Sequence, residues 1–450
     1  MDVSEIISSS IFDYQVNTPI TIYEGEMLLT SEHEKSILIN GKIELNWLPV
    51  PQLYFEGYVI KGLSDYFHLK FVNYNLSTNS GFSSGIMITS VTHASDTSNK
   101  IEGICKNEIS KGSNELTKLE FGIVNFINMH GDFIKKGALN YTGRTELLYK
   151  DWKITIIKRY DCKSYYEQLN KKGGYGVTHI GVLEKLNKSS FNYSDVIDLL
   201  ENVSWVLSFC AGRSVGISVL NGFNGEHLVR TIYQLPIITD WKKQTTWLAH
   251  PVTDVGINDL FINFNQLLNN PLWTKTIKII LLWYFDCYVS TYTENKIVTT
   301  QMALEMLAWT YLVEDQAILT KQEFKARDMT AYKRIKKLLE TQSIKFDIPD
   351  VHSLTTYKNK CDDGIHLLTR VRNSIAHPVK ETDIASMNST IKYGVLCMGT
   401  QFLELSILHI LKYKSEIHNR LSPSKWLGET NQLVPWVIVE NKDVKPDLDE

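Results

Sequence analysis

The 450-residue sequence predicts an α+β protein: an antiparallel β-rich, sandwich-like N-terminal domain followed by a C-terminal α-helical bundle. Three observations predict it. Up to about residue 188 the chain runs in short β-branched and aromatic stretches separated by Ser, Thr, Asn and Gly. Beyond Tyr193 apolar residues recur at helical spacing, and from Ile257 onward helices dominate. The length itself favours two domains over one.

The elements follow in order. Residues 36–39 and 42–47 flank Asn40-Gly41, a two-residue hairpin signal, because a type I′ turn needs positive φ at both central positions. Residues 53–60 form the next strand, and 145–149 and 152–159 continue the pattern, with Thr142-Gly143 as a turn. The aromatics Trp47, Tyr54, Phe55, Tyr58, Tyr66, Phe67, Phe71 and Tyr74 fall mostly on the core side, and any exposed subset offers a recognition surface. Residues 187–192 mark the boundary between a domain at 1–188 and one at 189–450. A helix at 195–211 carries Val196, Leu199, Leu200, Val203 and Leu207 on one side, with Ser194 as N-cap. A small β insertion is expected at 217–238, turning at Gly222 and Gly225. Helices are then predicted over 259–268, 274–292, 295–313, 331–341, 356–375 and 383–412.

Charge and cysteine usage narrow the function. The formal net charge is -3, so no global basic field draws the chain onto nucleic acid, and any attraction is local. Such a local excess exists over 321–380, where 13 Lys and Arg face 7 Asp and Glu. Its centre is Lys333, Arg334, Lys336 and Lys337. Six scattered cysteines without a C-x-x-C pair argue against a zinc site and for reduced thiols in a cytoplasmic protein. No metal or cofactor is expected. The acidic start of the chain carries no signal-peptide pattern, and residues 277–290 are interrupted by Lys278 and Asp286, so no membrane span is expected. Residues 441–450 read as a loose acidic tail.

The chemistry concentrates in Arg372-Asn373-Ser374-Ile375-Ala376-His377, followed at once by Pro378. Proline disfavours the helical conformation in the residue before it, so His377 ends its helix. The helix C-terminal dipole favours an imidazolium there. Asn373 and His377, four apart, share a face. These types suit metal-free cleavage of RNA. A base removes the ribose 2′-OH proton, the oxygen attacks the neighbouring phosphorus, and a guanidinium stabilises the charge on the phosphate oxygens. His377 is the candidate base, Arg372 the candidate cation and Asn373 the positioning group. Arg370 also stands upstream of His377, as a phosphate contact or a solvated charge. Lys333, Arg334, Lys336, Lys337 and Lys380 are the other candidate RNA contacts. Glu305, His352, His366 and Ser374 read as structural.

Arg372-Asn373-x-x-x-His377 resembles the R-x4–6-H signature of HEPN-domain ribonucleases, and residues 300–307 resemble a helix that precedes the motif there. Residues 174–181 and 207–216 resemble the junction of ApeA-like proteins, in which a β-rich domain precedes a HEPN domain. The resemblance implies an endoribonuclease of bacterial antiphage defence acting by abortive infection. It implies a HEPN homodimer or higher oligomer, catalysis by Arg372 and His377 with Asn373, and a β domain that senses a phage component or restrains the nuclease. Structured RNA such as tRNA is the expected substrate, because a short basic patch suits a loop held by a folded body. The rival expectations are a non-catalytic recognition module and a HEPN toxin restrained by its own N-terminal domain.

Overall fold

The computed structural model describes residues 4–5, 9–32, 36–62, 73–93, 99–136, 139–249, 256–351, 353–377, 387–422, 426 and 429–437. The chain forms two compact units, Met1–Gln244 and Thr245–Glu450. The first is β-rich and the second helical, so the α+β class holds.

A two-residue strand, Ser4–Glu5, lies parallel to the later Asp132–Lys136, and six longer strands follow it in the chain: β1 (Ile20–Ser31), β2 (Ser36–Asn46), β3 (Gln52–Lys61), β4 (Tyr74–Thr78), β5 (Ser83–His93) and β6 (Asn99–Cys105). They pair in the order β5-β4-β1-β2-β3-β6, and β6 returns to β5. Every neighbour is antiparallel. The result is a closed barrel rather than the expected sandwich, and closure removes the free edges a sandwich would leave. Met27, Leu29, Ile39, Ile43, Leu53 and Phe55 fill its interior at alternate positions. The outer face carries a charge ladder, with Lys42 3.5 Å from Glu56 and Lys100 2.7 Å from Glu56.

Asn40-Gly41 is not a turn. It lies inside β2, with Gly25 opposite Gly41 and Gly41 opposite Gly57. A Cβ on Gly41 would stand 1.9 Å from the Glu56 carbonyl oxygen. The glycine therefore serves close approach of two strands, and the row of three lets the ribbon coil tightly enough to close.

A second set of strands continues the sheet: β7 (Glu108–Gly112), β8 (Lys118–Val124), β9 (Asp132–Lys136), β10 (Leu139–Tyr149), β11 (Trp152–Lys158), β12 (Val177–Lys185), β13 (Gly216–Asn224) and β14 (His227–Gln234). Their order is β9-β10-β11-β12-β8-β13-β14-β7, and β7 meets β5 at Ser110 and Ser83. Thr142-Gly143 is again no turn; it sits in β10 where the register with β9 shifts. Two helices belong here, α1 (Cys162–Lys172) and α2 (Ile197–Ala211). Asn192 and Asp195 form a capping box ahead of α2, in place of a Ser194 cap. Gly212 ends α2 in the left-handed conformation.

The boundary near 188 is corrected to Gln244. The pattern does turn helical after Tyr193, but α2 is one helix of a β unit. The strands after it complete the sheet, with β13 pairing β8 and β14 pairing β7. Gly225 makes the turn between them, whereas Gly222 lies in the ladder opposite Arg230.

The second unit holds α3 (Ile257–Leu267), α4 (Pro271–Val289), α5 (Thr293–Trp309), α6 (Lys321–Lys325), α7 (Ala331–Thr341), α8 (Gly364–Ala376) and α9 (Ser389–Ile410). Central α5 packs against α4, α7, α8 and α9. It runs on into a π-helical turn at Thr310–Asp315. By length and composition α9 would span a bilayer, but 78% of its apolar stretch is buried. A two-stranded ribbon, Glu416–His418 with Asn431–Leu433, follows α9.

Candidate functional site

The motif helix α8 starts at Gly364, eight residues later than the spacing predicts, because Asp363 caps it. The Asp363 carboxylate accepts the His366 N–H at 2.8 Å. It also accepts the Tyr332 hydroxyl at 2.8 Å and the Lys336 ammonium at 3.2 Å, both from α7. One buried carboxylate thus starts α8 and ties it to α7. The bonds to Tyr332 and then Asp363 raise the Lys336 pKa. Ile365, Leu368 and Val371 bury the inner face of α8.

His377 ends the helix as its C-cap, at φ -136° and ψ 72°, donating its N–H to the Asn373 carbonyl at 2.8 Å. The imidazole and the Asn373 side chain are exposed. Arg372 Nη1 donates to Asn373 Oδ1 at 3.4 Å, and its buried Nε has no partner. Among the described residues no carboxylate pairs with Arg372. Motif and helix end therefore coincide, and Arg372 and Asn373 touch. Pro378 and Lys380 lie outside the described residues, as do His352, Tyr66, Phe67 and Phe71.

The other candidate cations are differently employed. Arg370 Nη1 reaches back to the Lys360 carbonyl at 2.9 Å. Lys336 serves Asp363. Arg334 Nε donates to the Phe324 carbonyl at 3.2 Å, and its guanidinium lies 4.8 Å from the Phe324 ring centre. Lys333 is 3.4 Å from Asp328, both well exposed. Lys337 is half-exposed on the same helix. Among the residues read as structural, Glu305 accepts from Gln301 at 2.9 Å, and Ser374 Oγ bonds the Val371 carbonyl at 2.9 Å. The His366 ring packs 5.5 Å from that of Tyr332.

Two polar clusters escaped the sequence reading. In the helical unit Glu404 of α9 is buried, with Arg420 Nε 3.0 Å from Oε2 and Nη2 2.5 Å from Oε1. Tyr284 and Tyr288, one turn apart on α4, donate to Oε1 at 2.8 and 2.7 Å. Burial and then the Glu404 charge push the Tyr284 phenol far up. Burial opposes the Arg420 charge, but Glu404 outweighs it and holds the guanidinium ionised. The available signal was a glutamate inside the apolar run of α9 and two tyrosines at i, i+4.

In the β unit the runs at 174–181 and 207–216 are knitted together by Asn125. Its side chain donates to the Gly174 carbonyl at 2.9 Å and accepts the Gly176 N–H at 3.0 Å. Its carbonyl accepts Arg213 Nε at 3.1 Å, and Arg213 lies 4.1 Å from the Trp241 ring centre. Burial lowers the Arg213 pKa to about 10, and it holds His179 neutral. These runs are structural joints of the β unit.

Comparison with known proteins fits this division. The family described as the YopA central domain matches residues 111–244, the second set of strands with α1 and α2. The YopA C-terminal domain matches residues 270–433, within the helical unit. The SPbeta prophage-derived uncharacterized protein YopA of Bacillus subtilis (strain 168) is 34% identical over 443 residues, covering 97% of this chain and 99% of that protein. No solved structure matches the chain. With both domain models and a full-length relative in agreement, the chain belongs to the YopA family.

Proposed function

We propose that the protein is a metal-independent endoribonuclease, with its helical unit acting as a HEPN-type bundle. The observation that carries this reading is the end of α8. An exposed imidazole terminates the helix, one turn beyond an exposed amide that touches a guanidinium with no carboxylate partner among the described residues. Arg420 is held by a buried carboxylate, whereas the Arg372 guanidinium has none among the described residues and is offered to an anion.

In the mechanism His377 takes the proton of a ribose 2′-OH. The oxygen attacks the adjacent phosphorus, and the P–O5′ bond breaks. Arg372 stabilises the charge on the non-bridging oxygens, and Asn373 holds the arginine or the phosphate in place. The departing 5′-oxygen takes a proton from water or from the histidine of a second copy. The products are a 2′,3′-cyclic phosphate and a 5′-OH end. Lys333 and Lys337 supply backbone contacts, whereas Arg334 and Lys336 serve the fold. Structured RNA such as tRNA is the substrate class. The prophage origin of the relative supports a role in conflict between phages, with the β unit sensing a phage component.

The test is cleavage of total RNA by the purified protein in EDTA. His377→Ala is expected to lower the rate about 100-fold or more, the range of general-base catalysis. Arg372→Lys is expected to be nearly as damaging, because an ammonium lacks the guanidinium fork. Cleavage that requires a divalent metal, or that survives His377→Ala, ends this reading.

A further inference from the structure

The outer face of α4 is self-complementary. Lys275, Ile279, Leu282 and Asp286 are all exposed. At about 100° per residue they fall within a stripe roughly 60° wide, and at about 1.5 Å per residue they span roughly 16 Å. The stripe reads base, apolar, apolar, acid. Its centre lies between residues 280 and 281. Reversing the helix about that point places residue 275 opposite 286 and residue 279 opposite 282.

Ile279 and Leu282 are 39% and 43% exposed, and Met302 of the neighbouring α5 is 42% exposed. Three large apolar side chains therefore face outward on one side of the α4–α5 pair. Beside them Asp286 lines a hollow with Ser290, Asn295, Val298 and Thr299. Partial burial raises the Asp286 pKa, so the carboxylate sits where charge is poorly solvated.

We propose that this face is a two-fold interface between copies of the chain, formed by antiparallel α4 helices. Each Lys275 reaches the partner's Asp286 and enters the hollow beside it, while Ile279 packs on the partner's Leu282. Charge order selects the occupant. A helix with the same stripe run backwards is what the face complements, and a second copy of α4 is such a helix. The inference is independent of the nuclease reading, since it uses none of Arg372, Asn373 or His377.

The test is sedimentation equilibrium of the full chain across a concentration series. The wild type is expected to dimerise. Lys275→Glu sets two carboxylate pairs face to face by symmetry and is expected to weaken the dimer about 10-fold or more. Asp286→Lys does the same with two ammonium pairs. The combined Lys275→Glu/Asp286→Lys chain restores both attractions with reversed polarity and is expected to regain the dimer. Circular dichroism of each variant checks that the fold survives. A wild type that stays monomeric at every concentration overturns the proposal, as does a folded double variant no tighter than the single ones. Mixing the two single variants, each folded, must also give a dimer through one matched and one inverted pair; failure counts against the interface.

Discussion

Glu404 and Arg420 show what a buried charge demands of its surroundings. The carboxylate receives both tyrosine hydroxyls and two guanidinium nitrogens, so its lone pairs are used. Such a pair adds little over an apolar substitute, but breaking it is costly. Arg420→Ala leaves the buried Glu404 charge without a counter-ion, held by the two tyrosine hydroxyls alone, and is expected to cost about 3–5 kcal/mol. Replacing both partners, Glu404→Leu with Arg420→Met, is expected to recover most of that loss. Urea midpoints of the two variants decide it; an Arg420→Ala chain as stable as the wild type would show that the network carries no weight. In the sequence Glu404 looked like one more helix residue, because its partner lies sixteen positions away and its tyrosines more than a hundred. The catalytic candidates were legible by contrast. Arg372, Asn373 and His377 are local, and a helix end follows from local signals. What remained hidden was which nearby cations were free. Lys336 and Arg334 look like surface charges until Asp363 and Phe324 are placed beside them.

At the scale of elements, legibility again followed the range of the interaction. Helix α7 spans 331–341 as its pattern predicts, since Thr330 caps it and its apolar stripe repeats cleanly. Helix α8 begins late because the apolar spacing continued upstream, while Asp363 fixes the true start by bonding. The barrel was missed altogether. Its closure rests on β6 meeting β5 as well as β3, and no local pattern encodes a strand's second neighbour. Asn40-Gly41 misled for a related reason: glycine serves both a turn and a close strand approach, and only the strand opposite tells them apart. Gly41→Val is therefore a sharp probe. In a hairpin turn it would disturb a surface loop. Inside β2 its Cβ meets the Glu56 carbonyl and the ribbon can no longer coil. The expected loss is roughly 3 kcal/mol or more, read as a lowered unfolding midpoint. A midpoint within error of the wild type would mean that the strands have room there.

For the whole molecule, the placement of the unit boundary has a direct experimental consequence. A fragment of residues 189–450 starts with α2 and the β13–β14 hairpin but lacks β8 and β7, their partners on either side. It would expose two unpaired strand edges and the apolar face beneath α2, and it is expected to aggregate. A fragment of residues 245–450 carries every helix from α3 to α9, the Glu404 cluster and the short ribbon after α9. It is expected to be monodisperse, strongly helical by circular dichroism and cooperative in urea. The reverse outcome, with the longer fragment folded and the shorter one not, would move the boundary back toward 188. The same fragment separates two roles for the β unit, because it retains Arg372, Asn373 and His377. If the proposed nuclease is held in check by the β unit, 245–450 degrades RNA without a trigger and arrests growth on expression. If the β unit must signal before the site can act, the folded fragment leaves RNA intact while the whole chain, once triggered, cuts it.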